Sequence, residues 1–112
     1  MVTIDPTPPP GLDRLTREAD FQTLVVGTLR LMGWVVIDLK DARVDERGIP
    51  DLLCFRAGRG ELIELKIGTR PLSAGQKRWR DRWLPDDTPC HLIRNSDADW
   101  RRMMAIMGPV TP

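Results

Sequence analysis

Gly48-Ile-Pro-Asp-Leu-Leu-Cys-Phe-Arg-Ala-Gly-Arg-Gly-Glu-Leu-Ile-Glu-Leu-Lys66 contains two short apolar runs on either side of a glycine-rich turn. The pattern predicts a β-hairpin of strands Ile49 to Arg56 and Glu61 to Ile67, joined by residues 57–60. A two-residue turn at Gly58-Arg59 and a four-residue loop at 57–60 give one register, pairing 53 with 64 and 51 with 66. Side chains alternate across a strand, and directly paired residues share a face. Asp51, Leu53, Glu64 and Lys66 therefore fall on one face, and Leu52, Cys54, Ile63 and Leu65 on the other. The diagonal pair Asp51 and Glu64 is expected to have Cβ atoms about 7 Å apart. Two carboxylates at that spacing can close on one hard cation such as Mg²⁺, with Lys66 beside them. The plain alternative is a salt bridge of Lys66 with Asp51 on an exposed sheet face, worth little energetically.

Working outward, apolar residues at helical spacing predict a first helix over 15–32, with Thr16 as N-cap and Gly33 as its stop. Trp34 to Leu39 reads as a strand and residues 40–48 as a charged loop. A second helix, Ser73 to Leu84, opens with a capping box of Ser73 and Gln76. Cys90 to Arg94 is a short strand, and a last helix starts at Ser96, with Trp100, Met103, Met104 and Met107 on one face. The element order is α-β-β-β-α-β-α. Residues 1–14 are expected to be a Pro-rich tail, 15–107 one domain and 108–112 a short C-terminal tail.

Composition narrows the chemistry. The 112 residues suit a single domain, with 41% apolar and 29% charged residues. One histidine, His91, and two cysteines, Cys54 and Cys90, exclude a zinc finger and argue against a disulfide scaffold. Carboxylates and lysine are left as catalytic tools. No secretory signal and no membrane-spanning run is read in the sequence, and free thiols point to a reducing, cytoplasmic setting. The formal net charge is only +1, but it is unevenly spread. Residues 61–83 carry six cationic and three acidic side chains, net +3. Arg70, Lys77, Arg78, Arg80 and Arg82 form a candidate phosphate-tracking face, with Arg43, Arg47 and Arg59 on loops as further candidates. A solvated charged face is the alternative.

Taken jointly, Glu18-Ala-Asp-Phe-Gln22, Gly33-Trp34, Gly48-Ile-Pro-Asp-Leu-Leu53, Ile63-Glu-Leu-Lys66 and Leu72-Ser-Ala-Gly-Gln76 resemble the virus-type replication-repair nuclease (VRR-NUC) group of the PD-(D/E)xK superfamily. The resemblance covers roughly residues 15–95. It implies an α/β, restriction-endonuclease-like αβββαβ core with a mixed sheet, here followed by an additional C-terminal helix. Asp51 and Glu64 match the acidic metal ligands, Leu65 would add a backbone carbonyl, and Lys66 matches the catalytic lysine. Glu18 matches the acid of the first helix, which completes the metal site or contacts its water shell. Gln76 matches a glutamine leaning toward the metal or the scissile phosphate, although its capping role explains it equally well. The implied function is a Mg²⁺- or Mn²⁺-dependent DNA endonuclease, selective for branched DNA such as four-way (Holliday) junctions, acting as a homodimer in DNA repair or phage biology. The alternatives are a nuclease acting on plain duplex, flapped or single-stranded nucleic acid, and a catalytically silent nucleic-acid-binding module.

Overall fold

The computed structural model describes residues 5–40, 48–83 and 89–108. Within them the chain is α/β, with a four-stranded mixed sheet and three helices. The elements are α1 (Glu18–Leu31), β1 (Val35–Asp38), β2 (Leu52–Arg56), β3 (Arg59–Lys66), α2 (Ala74–Trp83), β4 (Cys90–Arg94) and α3 (Asp97–Met107). The predicted order is present in full. In the sheet, β1, β2 and β3 are antiparallel neighbours and β4 joins β3 in parallel. The parallel step needs a crossover, and α2 lies within it.

The hairpin register differs from the expected one. Leu52 pairs with Ile63, Leu53 with Leu62 and Arg56 with Arg59, so the turn is Ala57-Gly58 and β3 starts two residues early. Both turn residues have positive φ, +50° and +78°, as a type I′ hairpin turn requires. A shift of two residues preserves the side-chain alternation, so the predicted division of faces survives. Carried one pair beyond β2, the register sets Asp51 opposite Glu64 rather than opposite Lys66.

One face of the sheet is covered by α1 and α3. Phe21, Val25 and Leu29 of α1 and Trp100, Met103, Met104 and Met107 of α3 pack on Val36, Leu52, Cys54, Ile63, Leu65 and Ile93. The α3 N-terminus is capped as expected, Asp99 donating its backbone N–H to Ser96 Oγ at 3.1 Å. The methionine face is therefore core. Over β1 and β2 the opposite face leaves Val35, Ile37 and Phe55 exposed. Cys54 and Cys90 are free. They sit on strands separated by β3, roughly 10 Å apart by strand spacing, beyond the reach of a disulfide.

At the N-terminus the extended tail ends sooner than expected. Leu12–Arg14 form a 3-10 turn that opens at Gly11 (φ +77°), and Leu12 is buried in the core. Asn95, itself buried, holds this segment by donating to the carbonyls of Leu12 and Leu15. Leu15 is consequently extended, and α1 starts at Glu18, with Arg17 rather than Thr16 at the N-cap and no side-chain cap. The glycine stop at Gly33 (φ +92°) is as expected.

Candidate metal and nucleic-acid site

At one end of the sheet, β1 and β3 finish and β2 begins. Pro50 is fully buried there and has no N–H for the ladder, so β2 starts only at Leu52. Asp51 takes over where the ladder stops. Its Oδ2 accepts the Leu65 N–H at 2.8 Å, and its own carbonyl accepts the Leu39 N–H at 3.0 Å. The side chain is thereby fixed, and Asp51 is only 3% exposed.

Glu64 reaches the same point from β3 and is equally buried. Gln76 Nε2 donates to Glu64 Oε1 at 2.7 Å. Burial, and after it the neighbouring Asp51 carboxylate, push the Glu64 pKa up to about 8. Lys66 is half-buried next to the two carboxyls, and its charge opposes the rise at Glu64.

Gln76 is delivered by the start of α2. Its Oε1 accepts the Ser73 N–H at 2.8 Å and its backbone N–H donates to Ser73 Oγ at 3.1 Å, which completes the predicted capping box. Gly48 sets how closely α2 can approach. A Cβ on Gly48 would stand 2.3 Å from the Gly75 carbonyl oxygen, so only glycine lets the Gly48-Ile-Pro-Asp51 segment lie against the helix start. The glycine and the aspartate of that segment thus serve one site, one by docking α2 and the other by presenting a carboxylate.

Glu18 opens α1 and is half-buried. It lines a cleft of about 640 Å³ with Gln22, Arg30, Asp38 and Lys40, among others. Asp38 accepts a hydrogen bond from Gln22 Nε2 and another from the Lys40 backbone N–H. Neither Asp38 nor Lys40 stood out in the sequence. Lys40 Nζ lies 3.1 Å from Asp51 Oδ1. Partial burial disfavours its charge, but the carboxylates of Asp51, then Glu18 and Glu64, outweigh that and raise its pKa. Among the described residues no three His, Cys, Asp or Glu side chains form a ready-made metal cage. The protein donors that converge are the two carboxylates of Asp51 and Glu64, an oxygen set suited to a hard divalent ion that keeps several waters. Leu65 enters the site through its N–H, whereas Glu18 lines the neighbouring cleft and acts on Lys40 rather than joining the carboxylate pair.

The cationic candidates divide. Arg70, Lys77, Arg78 and Arg82 are exposed. Arg80 is half-buried, turned toward β4 and near the Cys90 carbonyl at 3.5 Å. Arg59 binds Glu61 and the Ile106 carbonyl, both at 2.9 Å, and lies over the Trp34 ring, so it ties the hairpin to the end of α3. His91 Nε2 is 3.0 Å from Glu61 Oε2 on the helix-covered side, away from the carboxylate pair. Arg43 and Arg47 lie outside the described residues. Among the described residues no helix is long and apolar enough to cross a membrane. No family model, curated protein or solved structure matches the chain.

Proposed function

We propose that the protein is a metal-dependent DNA endonuclease of the VRR-NUC type, built on a restriction-endonuclease-like core. The observation that carries this reading is the buried pair Asp51 and Glu64 at the end of the hairpin, with Lys66 on the same face. Burying two carboxyls side by side is unfavourable unless one keeps a proton or positive charge compensates them, and a divalent ion would do so while leaving both ionised. Asp51 and Glu64 would hold one Mg²⁺ or Mn²⁺, with the Leu65 carbonyl as a further donor and Glu18 acting through the water shell. Such an ion supplies charge stabilisation at the phosphate and a more acidic bound water.

The chain's own groups would do the rest. The Leu65 N–H holds Asp51 in place, and Gln76 holds Glu64. Lys66 brings an ammonium to the attacked phosphate, orienting the attacking water and offsetting the negative charge that builds during displacement. Arg70, Lys77, Arg78 and Arg82, exposed on α2 and the segment before it, would grip the DNA backbone without reading bases. Exposed Val35, Ile37 and Phe55 support a homodimer, as does the small size of the chain. Two sites would then face the two strands of a four-way junction.

The test is cleavage of labelled linear, flapped and four-way-junction DNA with Mg²⁺ or with EDTA, using the wild type, Asp51→Ala and Lys66→Ala. Metal-dependent cutting that both variants lack is expected, strongest on the junction. Preference for another substrate would redirect the specificity. Binding without cutting under any metal would leave a silent binding module instead.

A further inference from the structure

Lys40 lies just beyond β1, and the proposed chemistry gives it no task. Its placement nevertheless bears directly on the acidic pair. Both carboxylate oxygens of Asp51 are engaged. Oδ2 accepts the Leu65 N–H, a bond that continues the β2–β3 pairing at the end of the sheet and cannot be released without disturbing β3. Oδ1 faces the Lys40 ammonium at 3.1 Å. The two partners differ in mobility. Leu65 is backbone in a strand, whereas the Lys40 side chain is 65% exposed and flexible. Its base is anchored, since the Lys40 N–H donates to Asp38 Oδ1 at 2.9 Å, so the ammonium stays tethered to the site when it swings away. Glu18 lines the cleft beside it, which leaves acidic surroundings on each side of the ammonium.

We propose that Lys40 is an exchangeable internal cation: it neutralises the Asp51–Glu64 pair in the metal-free protein, and a divalent ion must displace it from Asp51 Oδ1 to load the site. The inference rests on the metal-site reading above. Loading is then an exchange of one positive group for another at a shared oxygen, not the filling of an open cage. An ammonium brings one charge and a divalent ion two, so the exchange proceeds, but only above a metal concentration that Lys40 sets. Removing the ammonium lowers that threshold, and a guanidinium in its place retains it. A surface salt bridge with no such role would leave metal affinity unchanged.

The experiment measures Mn²⁺ binding to the full chain, without DNA, from the loss of the free-ion electron paramagnetic resonance signal. Wild type, Lys40→Met, Lys40→Arg, Lys40→Gln and Asp51→Asn are compared. Lys40→Met is expected to bind Mn²⁺ about tenfold more tightly than wild type, the factor that follows if Lys40 occupies Asp51 about nine-tenths of the time. Lys40→Arg should stay near wild type. Lys40→Gln, which keeps a donor to Asp51 but no charge, should follow Lys40→Met and stands in for it if that variant does not fold. Unchanged or weaker binding by the neutral variants, with binding still lost in Asp51→Asn, would overturn the role of Lys40 and leave the metal site standing. Wild-type binding that is absent, or that Asp51→Asn does not weaken, would overturn both.

Discussion

Gln76 and Glu64 are joined by a 2.7 Å hydrogen bond while the other end of the same amide caps α2 through the Ser73 N–H. A capping role and a site role looked like competing explanations of Gln76. They prove to be the two ends of one side chain. The Ser73 N–H demands an oxygen, which turns Nε2 toward Glu64 and fixes the amide orientation. Helix initiation and placement of the buried carboxylate are therefore one event.

Two substitutions separate those ends. Gln76→Ala removes both and should cost about 2 kcal/mol, one part from the cap and one from a buried carboxylate left without its donor. Gln76→Glu keeps the acceptor for Ser73 but sets a third carboxylate beside Glu64. It should be less stable than wild type in EDTA at neutral pH and gain more from added Mn²⁺ than Gln76→Ala does, because the third carboxylate adds to the negative charge the ion offsets. Urea unfolding with and without Mn²⁺ measures both effects.

The raised pKa of Glu64 gives the metal-free protein a characteristic pH response. Below about pH 4.5 the group is protonated in both folded and unfolded chains and contributes no slope. Between the ordinary value of 4.5 and the folded value of about 8 the unfolded chain releases this proton while the folded chain keeps it. Folding then binds a proton, so stability contributed by this group declines as pH rises through that window. Above about 8 the loss is complete. Urea midpoints measured from pH 5 to 9 in EDTA should fall more for wild type than for Glu64→Gln, which keeps an acceptor for Gln76 and cannot ionise. Equal slopes would place the titration elsewhere.

The contrast between Glu64 and Lys40 marks how far the sequence is legible. Alternation within residues 48–66 is a local property, and it survived a two-residue error in register because a shift of two leaves every side chain on its face. The error itself came from the turn. Glycine is expected where φ is positive, which favours Gly58 as the first turn residue, yet Ala57 takes that position at φ +50°. Lys40, Asp38 and Asn95 gave no local signal. Their partners are distant in sequence, as with Gln22 and Asp38, 16 residues apart, or Asn95 and Leu12, 83 apart. Only the closed fold brings them together. Leu12 was hidden for another reason: surrounding prolines spell an extended tail, and its burial depends on Asn95.

Gly48 should tolerate no side chain, for a reason that a second glycine isolates. Gly48 and Gly58 both have left-handed backbones, φ +83° and +78°. A Cβ on Gly58 meets nothing within 4 Å, whereas one on Gly48 would collide with the Gly75 carbonyl at 2.3 Å. Gly58→Ala should therefore cost about 1 kcal/mol from backbone strain alone. Gly48→Ala should add overpacking, for about 2–4 kcal/mol in total, and push α2 away from the sheet. Since α2 carries Gln76, cleavage by Gly48→Ala should fall even at temperatures where the protein stays folded. Gly58→Ala should cut normally.

Asn95 offers the sharpest test of how the N-terminal segment is attached. Its Oδ1 accepts the Gly68 N–H at 2.8 Å, and its Nδ2 donates to the Leu12 and Leu15 carbonyls, both at 3.1 Å. One buried amide thus links the exit of β3, the end of β4 and the turn that leads into α1. Arg94, its neighbour, pins the same exit turn through the Gly68 and Arg70 carbonyls. Replacing Asn95 by leucine keeps the volume but strands three polar backbone groups, a loss of about 2–4 kcal/mol. Asp in its place retains the Gly68 acceptor and loses both donors, so it should be intermediate only if the Leu12 and Leu15 bonds matter less than the Gly68 bond. Amide exchange resolves the parts. In Asn95→Leu the Gly68 amide should lose protection, and so should the Leu12 to Leu15 turn. In Asn95→Asp the Gly68 amide should remain protected while the turn opens, because the carboxylate can satisfy the first contact and repels the two carbonyls that the amide had held.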